Sequence, residues 1–422
     1  MGTIETIGDN LQRREGTMTH RILVIGGYFD QIHSLVQGGY DIVVLLPKGR
    51  HKEMVPCMQV KTYFTNITDR KCCESIALYE HAASPFSATL SHYELSIPIC
   101  ARIAKKLSIP GPDIRTSELI RDKLKTRQIA NNIGDVSTEF KQYTNERELE
   151  KFIEKHGKSV LKPAGGVGGR DVHVVSNKDD INHIIATVEL EIEPYIIEKY
   201  VEGYEFSVEG FMDQNGHTIV ALTGKHPPAP PNYVETVHVQ SESLLKFIPN
   251  AIKDRLENLL NRFYSDIGYP LGPTHTEFIL TDKSELYLLE GHLRTGGLSI
   301  WELTRATTLV DIFRHHTRRL LGEKVPLGIH QTQRAAAVAG ISCQQGIVRG
   351  VRFHPPSNSA YQRTITPYPS FDIGDTVESV HPSRYCRFGG HIMTIFDDAN
   401  KADIDDLINQ ARSISESFHY EF

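Results

Sequence analysis

Cysteine is scarce in this chain, and its few cysteines show no metal-binding spacing. Six of the 422 residues are cysteine, and no pair has the Cys-x-x-Cys arrangement. Sparse cysteine in a long chain is typical of a reducing compartment, where thiols stay free. We therefore expect a reduced, cytoplasmic protein, and a plain buried thiol is a better interpretation of each cysteine than a catalytic nucleophile.

Long apolar runs and an excess of positive charge are also missing. No run approaches the roughly 18 apolar residues that a membrane-spanning helix needs, and residues 1–17 lack the apolar segment of a signal peptide. The formal net charge is -6, so the chain has no basic footprint for nucleic acid. We expect no membrane and no nucleic-acid partner.

Two short apolar segments near the start predict buried parallel strands. They are residues 21–27 and 40–47, and the segment between them fits a helix. Strand–helix–strand is typical of a doubly wound α/β fold. The glycine pair at 26–27 lacks the Gly-x-Gly-x-x-Gly pattern of a dinucleotide site, so a tight turn is the better interpretation. The cluster Pro110-Gly111-Pro112 marks a first domain boundary.

Further along, apolar periodicity predicts alternating helices and strands. We expect helices over residues 91–107, 117–133, 181–192, 251–264 and 402–416. We expect strands over residues 160–162, 172–175, 195–201, 205–211, 276–280 and 286–290. Three groups of polar or glycine residues lie at the ends of these strands.

The first group is a glycine-rich segment directly after Lys162. Its glycines are Gly165, Gly166, Gly168 and Gly169. Glycines let backbone N–H groups turn toward an anion, and a nearby lysine adds a point charge for phosphate. A flexible hairpin tip explains the same residues equally well. The segment is not a Walker A loop, because no Gly-Lys-Ser/Thr follows.

The second group interrupts an apolar strand with charged residues. It comprises Glu198, Lys199, Tyr200, Val201 and, a few positions on, Glu205. A charged pair inside an apolar strand is costly unless the charges meet partners. The backbone at a strand end can bind an adenine edge, and a carboxylate can bind ribose hydroxyls. The alternative is that Lys199 and Glu205 are solvated surface residues.

The third group is a pair of carboxylates on adjacent predicted strands, Glu277 and Glu290. Facing acids repel each other unless a cation lies between them, and Mg²⁺ accepts one or two carboxylates together with substrate phosphates. Arg294 follows Glu290 by four residues and offers a planar fork for phosphate. The alternative is two independent surface acids.

Taken together, this order of residues resembles the ATP-grasp superfamily, most strongly over residues 120–300. The resemblance implies ATP and Mg²⁺ or Mn²⁺ as cofactors, with Glu277 and Glu290 as metal ligands. It implies phosphate contacts from Lys123 and Lys162, a lid loop at Gly165–Gly169, and an adenine hinge around Glu198 to Val201 with Glu205 on the ribose. It also implies a tail at 1–18, an N-terminal α/β domain at 19–115, a lid at 116–203, and a catalytic domain at 204–422 whose part 330–422 is accessory.

One departure from the family pattern narrows the resemblance. The second metal carboxylate is usually the glutamate of a Glu-x-Asn pattern, but here the sequence is Glu290-Gly291-His292. One branch that lacks this asparagine is the L-amino-acid ligases, and the stretches 274–277 and 234–238 are similar to that branch. Histidine is a poorer partner than asparagine for hard Mg²⁺, which leaves the third ligand open.

The resemblance implies a carboxylate–amine ligase that joins amino acids through an acyl phosphate, in a monomer or a homodimer. Glu235 is expected to hold a substrate ammonium. His238 is expected to contact a carboxylate or the intermediate, and a structural histidine explains it equally well. Arg294 and Lys162 are the expected catalytic groups. We expect His275 to face away from Glu277. The alternatives are a purine-pathway ligase, a biotin-carboxylase-like enzyme and a non-catalytic nucleotide-binding protein.

Overall fold

A computed structural model describes most of the chain as three larger sheets and two small ones, with helices packed on them. It covers residues 20–47, 60–134, 136–166, 168–169, 171–188, 190, 193–226, 236–378 and 389–422. Within these ranges, no helix has both the length and the apolar character that crossing a bilayer requires.

The first sheet is parallel, with the order β3-β2-β1-β4. Every residue of β1 is buried, which explains its continuous apolar sequence. The arrangement confirms the doubly wound start of the chain. The elements are β1 (Arg21–Ile25), α1 (Phe29–Gln37), β2 (Asp41–Leu46), β3 (Lys61–Phe64), α2 (Arg70–Ala83), β4 (Ala88–Leu90), a 3₁₀ turn (Glu94–Ser96) and α3 (Ile97–Leu107).

The expected helix over residues 117–133 is instead two helices, α4 (Ile114–Leu119) and α5 (Lys123–Ile133). The break has a local cause, because Asp122 caps α5 by accepting a hydrogen bond from the Lys125 N–H at 3.2 Å. Ala130 and Ile133 of α5 are buried in the core beneath the largest sheet. This packing brings Lys123, the first residue of α5, to the edge of that sheet.

The second sheet is antiparallel, with the order β5-β8-β6-β7. Its two helices begin at asparagine caps, since Asn145 and Asn177 each accept a hydrogen bond from a backbone N–H of the first turn. The Asn177 cap explains why the second of these helices starts before the expected residue 181. The elements are β5 (Phe140–Gln142), α6 (Glu146–His156), β6 (Ser159–Pro163), β7 (His173–Val175), α7 (Lys178–Thr187) and β8 (Tyr195–Lys199).

The largest sheet has eight strands in the order β13-β12-β9-β10-β11-β14-β19-β17. The chain from residue 204 to residue 320 supplies the first five strands of this sheet and four helices. These elements are β9 (Tyr204–Asp213), β10 (Gly216–Lys225), β11 (Val237–Gln240), α8 (Leu244–Phe247), α9 (Asn250–Ile267), β12 (Gly272–Leu280), β13 (Leu286–His292), α10 (Ile300–Thr308) and α11 (Ile312–Leu320). The rest of the chain comprises β14 (Ala335–Gly340), β15 (Gly346–Ile347), β16 (Gly350–Phe353), β17 (Arg363–Pro369), β18 (Thr376–Val377), β19 (Gly390–Phe396), α12 (Ile404–Glu416) and β20 (Phe418–Glu421). Of these strands, β14, β17 and β19 belong to the largest sheet, whereas β15 pairs with β18 and β16 pairs with β20 in the two small sheets.

Side chains along β9 point alternately to the two faces of this sheet, and one face packs into an apolar core while the other carries polar residues. Phe206 and Val208 pack into a core with Leu260 and Phe263 of α9. The residues between them on the strand therefore face the other side, where α10 lies and where Gln240 donates a hydrogen bond to Thr304. That second face carries the polar residues described below.

Candidate functional site

Glu277 and Glu290 lie directly opposite each other on the antiparallel strands β12 and β13. Side chains of directly paired residues share one face of a sheet, so the two carboxylates project together. His292 is two residues beyond Glu290 and therefore joins them. Within the described residues, this trio is the group whose possible ligand atoms all lie within 4.8 Å of one another. The site can therefore hold a cation.

Two lysines neutralise these carboxylates. The Lys225 Nζ lies 2.6 Å from Glu277 Oε1 and 3.2 Å from Glu205 Oε1. The Lys123 Nζ lies 3.3 Å from Glu290 Oε1. Burial alone would raise the pKa of Glu277, but Lys225 and neighbouring histidines hold that pKa well below its usual range. The carboxylate is therefore ionised at neutral pH and suited to bind a cation.

His275 lies on the same face as Glu277, so the expectation that it faces away was wrong. Residues two apart on a strand point to the same side, so His275 and Glu277 share one face of β12. The Nε2 of His275 is 3.1 Å from Glu277, and Nδ1 is 2.9 Å from Glu209. Burial opposes a charged ring, but Glu209 and Glu277 outweigh it and raise the pKa of His275 to about 9. A cationic His275 therefore orients Glu277.

The position of the His275 ring also explains why residue 296 is a glycine. A Cβ added to Gly296 would lie 2.9 Å from His275 Nδ1, closer than a side chain normally allows. Gly296 thus lets the chain after β13 pass close over the histidine. The sequence reasoning gave no role to either residue.

The glycine loop, Gly165–Gly169, approaches the carboxylates through Lys123. The Lys123 Nζ donates a hydrogen bond to the Gly166 carbonyl at 2.7 Å, while the same ammonium is close to Glu290. Gly168 and Gly169 have φ values of 63° and 69°, which favour glycine over other residues. Lys123, Gly165, Gly166, Glu290 and His292 line one small cavity. The loop and the carboxylates therefore form a single site.

Glu198 has a positioning role that the sequence did not predict. Its side chain is buried and accepts from Arg127 and from the Lys162 Nζ, the latter at 2.6 Å. Burial opposes ionisation, but the two cations lower the pKa of Glu198 to about 2. Any contact of Glu198 with a ligand is therefore left to its backbone, while its side chain holds Lys162 in place.

The rest of the hinge segment lies where β8 ends. The Tyr200 N–H donates to the Lys158 carbonyl at 3.0 Å, and the Lys199 carbonyl accepts from Thr138. The Lys199 side chain is exposed. Glu205, near the start of β9, contacts Lys225 at the end of β10. The alternative of a solvated surface residue therefore fits Lys199 but not Glu205.

Arg294 lies beside Glu94, which comes from the N-terminal sheet region 200 residues earlier. The Arg294 Nε donates to Glu94 at 2.5 Å, and His292 Nδ1 is 3.1 Å from the same oxygen, Glu94 Oε2. Burial alone would raise the pKa of Glu94, but Arg294 and His292 hold it well below its usual range. Glu94 thus joins the N-terminal region to the carboxylate site.

His238 and Glu235 are the two remaining candidate residues, and the structure describes only the first of them. His238 pairs with Lys225 across β11 and β10, so it lies on the same face as the carboxylate site. Glu235 lies outside the described residues. Sequence reasoning missed Lys225, Glu94 and Arg127. The only signal for Lys225 was a charged residue that ends an apolar strand.

This arrangement combines a cation site, a glycine loop and buried ammonium groups. Opposed carboxylates can hold a divalent ion, while Lys123 and Lys162 offer charge to phosphate oxygens. Backbone N–H groups of the glycine loop can bind an anion. Together they are the parts that phosphoryl transfer requires, since that reaction depends on positioning and neutralising charge.

Comparison with known proteins agrees with this chemistry. A family profile described as an ATP-grasp domain matches residues 157–302. The chain is 27% identical over 214 residues to the carbamoyl-phosphate synthase of Methanobrevibacter smithii, covering 49% of this chain and 53% of that protein. It is 23% identical over 257 residues to the alanine–anticapsin ligase of Bacillus subtilis, covering 53% of each. The chain spans about half the length of these relatives.

Solved structures extend the likeness over nearly the whole chain. The L-amino acid ligase from Bacillus licheniformis superimposes with a TM-score of 0.78 at 17% identity, covering 96% of this chain and 99% of that one. The biotin carboxylase domain of Hydrogenobacter thermophilus 2-oxoglutarate carboxylase, bound to MgADP and bicarbonate, has a TM-score of 0.74 at 16% identity, covering 96% and 91%. At this identity the likeness shows the fold, and it confirms the predicted α/β architecture.

Proposed function

Because this chain carries an ATP-grasp domain and has the fold of an L-amino-acid ligase, we propose that it is an ATP-dependent carboxylate–amine ligase. The substrate carboxylate is that of an amino acid, and the amine is that of a second amino acid. The products are an amide, ADP and phosphate. The observation that carries this proposal is the contact of one ammonium, Lys123, with both the glycine loop and Glu290.

The donor set fits a divalent cation. Glu277 and Glu290 offer oxygen atoms on facing strands, and the low pKa of Glu277 keeps that carboxylate ionised. A bound ion would neutralise charge on the phosphates of ATP, which is the contribution that phosphoryl transfer needs. Lys123, whose ammonium lies between Glu290 and the glycine loop, would add a further positive charge near the same phosphates.

The nucleotide base would lie along the end of β8. The Tyr200 N–H is already used by Lys158, so the backbone donor that we assign to adenine is that of Val201. Glu205 would accept from the ribose hydroxyls, next to Lys225. Lys162, held by Glu198, would contact the phosphates beneath the glycine loop.

The proposed reaction has two steps. A carboxylate oxygen of the first amino acid attacks the γ-phosphorus of ATP, the bond to the β–γ bridging oxygen breaks, and ADP leaves. The nitrogen of the second substrate then attacks the acyl carbon and loses a proton, and the bond between carbon and the phosphate oxygen breaks. Closure of the glycine loop would exclude water, which otherwise hydrolyses the acyl phosphate.

The amino-acid site is assigned to the region beside the carboxylates. Arg294 and His238 lie on that side of the molecule, and Arg294 carries a planar guanidinium suited to a carboxylate. Glu235 would hold an ammonium group. These roles stay proposals that rest on the resemblance to amino-acid ligases.

Isotope transfer tests the proposal directly. Amino acids labelled with ¹⁸O in the carboxylate are incubated with ATP, Mg²⁺ and unlabelled amino-acid partners, and both the product mass and the released phosphate are analysed by mass spectrometry. An acyl phosphate carries one carboxylate oxygen into phosphate, so labelled phosphate should equal amide formed. Amide formation with unlabelled phosphate would reject the acyl-phosphate route.

A second candidate substrate is bicarbonate. It is favoured by the match to carbamoyl-phosphate synthase and by a structural neighbour whose crystals contain bicarbonate. Measuring phosphate release from ATP distinguishes amino acids from bicarbonate as the substrate. One reaction contains amino acids in bicarbonate-free buffer, and the other contains bicarbonate without amino acids. Bicarbonate-dependent release without amino acids would replace the amino-acid proposal.

A further inference from the structure

The residue that stands in place of the usual asparagine lies in the cation site itself. His292 faces the same side as Glu290, and its Nε2 is 3.5 Å from Glu290 Oε2. A ligand atom of Glu277, one of Glu290 and one of His292 all lie within 4.8 Å of one another. The sequence change therefore replaces an oxygen donor by an imidazole nitrogen at the same place.

The other nitrogen of His292 is held by a carboxylate. His292 Nδ1 is 3.1 Å from Glu94 Oε2, and Arg294 donates to that same oxygen at 2.5 Å. A carboxylate accepts hydrogen bonds, so we assign the ring proton to Nδ1. Nε2 then presents its lone pair toward Glu290. Metal-binding histidines characteristically donate their second N–H to a carboxylate in this way.

The ring is also confined by its surroundings. The side chains of His292 and Glu94 are 11% and 14% exposed. The ring of His275 stacks on that of His292, with centroids 5.5 Å apart and planes at 29°. His275 differs from His292, because its Nε2 lies within hydrogen-bonding distance of Glu277 at 3.1 Å, whereas the Nε2 of His292 lies at a longer 3.5 Å from Glu290. Of these two stacked histidines, His292 is the one whose ring nitrogen is grouped with Glu277 and Glu290 as a possible ligand.

We propose that Nε2 of His292 is a metal ligand beside Glu277 and Glu290, and that Glu94 orients it. The proposal rests on the nucleotide site described under Proposed function. A nitrogen donor contributes little to Mg²⁺, which prefers oxygen, but it strengthens binding of first-row transition ions in the order Mn²⁺ below Co²⁺. The site therefore discriminates in favour of a divalent transition ion over Mg²⁺.

Electron spin echo measurements on Mn²⁺ detect the ligand without any need for turnover. Full-length protein is loaded with Mn²⁺ and ADP, once with natural histidine and once with ¹⁵N-histidine. We expect a directly coordinated nitrogen coupling that changes with the label in the wild-type protein and is lost in His292→Asn. His330→Asn, at an exposed position, is the matched control and should keep the coupling.

Affinity provides the second readout. Mn²⁺, Co²⁺ and Mg²⁺ binding are measured by free-metal titration with ADP present. His292→Asn should weaken Co²⁺ binding most, Mn²⁺ by about tenfold, and Mg²⁺ least, in line with ligand-shell effects of that size. Glu94→Gln keeps the ligand but weakens its orientation, so it should lose part of the Mn²⁺ affinity and retain the nitrogen coupling. Circular dichroism confirms that both variants are folded.

The outcomes separate the two proposals. Binding of Mn²⁺ and ADP without a histidine nitrogen, or with a coupling that survives His292→Asn, overturns the role of His292 and leaves the ligase proposal standing. An equal loss of all three metals in His292→Asn also overturns it, because an equal loss indicates a structural role. Failure of the wild-type protein to bind Mn²⁺ with ADP overturns both.

Discussion

Lys225 and Glu277 form a buried ion pair across two strands that are not neighbours. The Lys225 Nζ is 2.6 Å from Glu277 Oε1, although β9 separates β10 from β12. Lys225 is 2% exposed, and its ammonium is also 3.2 Å from Glu205. One buried cation thus holds the carboxylate that we assign to the metal and the one that we assign to the ribose.

Removing this cation should destabilise the protein in a way that metal repairs. Lys225→Met leaves Glu277 without its nearest positive charge, and breaking a buried pair costs about 3 kcal/mol. We expect the free energy of unfolding in urea to fall by about that amount. Added Mn²⁺ or Mg²⁺ should restore more stability to Lys225→Met than to the wild type, since a bound cation replaces the lost charge.

Lys283→Met removes an exposed lysine from the turn between β12 and β13 and is the matched control. It should leave both the stability and its metal dependence unchanged. An unfolding free energy for Lys225→Met that metal does not change would contradict the assignment of Glu277 to the cation.

Two glycines with positive φ separate nucleotide binding from backbone strain. Gly168 in the glycine loop has φ of 63°, and Gly157 after α6 has φ of 74°. Alanine at either position must keep a positive φ, and such backbone strain costs on the order of 1–3 kcal/mol. Gly168→Ala should also raise KM for ATP, because we propose that the loop closes over the phosphates, whereas Gly157→Ala should not. Equal KM values in the two variants would remove the loop from the nucleotide site.

Acid should remove the stabilisation supplied by Glu198. Arg127 and Lys162 outweigh burial and lower the pKa of Glu198 to about 2, below the value of 4.5 for an ordinary glutamate. A carboxyl whose pKa is lowered by folding stabilises the protein above its unfolded pKa, and that contribution is lost as pH falls. The stability advantage of the wild type over Glu198→Gln should therefore be full at pH 7 and shrink below about pH 4.5. An advantage that grows on acidification would be the opposite of this account.

Glu302 should show the reverse dependence. Burial raises the pKa of Glu302 to about 7, and nearby Asp30 adds to the increase, while Arg305 opposes it. A raised carboxyl pKa favours the folded state below the unfolded pKa, and this contribution is lost as pH rises toward 7. Glu302→Gln should thus gain stability over the wild type between pH 5 and pH 8. The comparison uses thermal unfolding at each pH, and a constant difference would contradict it.

The sequence predicted what depends on local pattern. Alternation and adjacency of two strands predicted the pairing of Glu277 with Glu290. The doubly wound start followed from two apolar segments that are short enough to be strands. These features need only the strand period and neighbouring strands.

Features that depend on distant parts of the chain were not predicted. Glu94 contacts Arg294 across 200 positions, and no local pattern indicates that packing. Lys225 reaches Glu277 over an intervening strand, which requires the strand order of the sheet. The break between α4 and α5 was not predicted, because an aspartate such as Asp122 is compatible both with an exposed position inside a helix and with a helix cap.

ATP turnover by Glu290→Gln tests the central claim most directly. Glu290 is partly exposed and lies opposite Glu277, so the amide keeps the shape of the site while removing one negative ligand. We expect amino-acid-dependent ADP release to fall by about 10²–10³-fold, the usual cost of removing one electrostatic contact from a catalytic site, with an unchanged unfolding midpoint. ADP release by the folded variant at the wild-type rate would contradict the account.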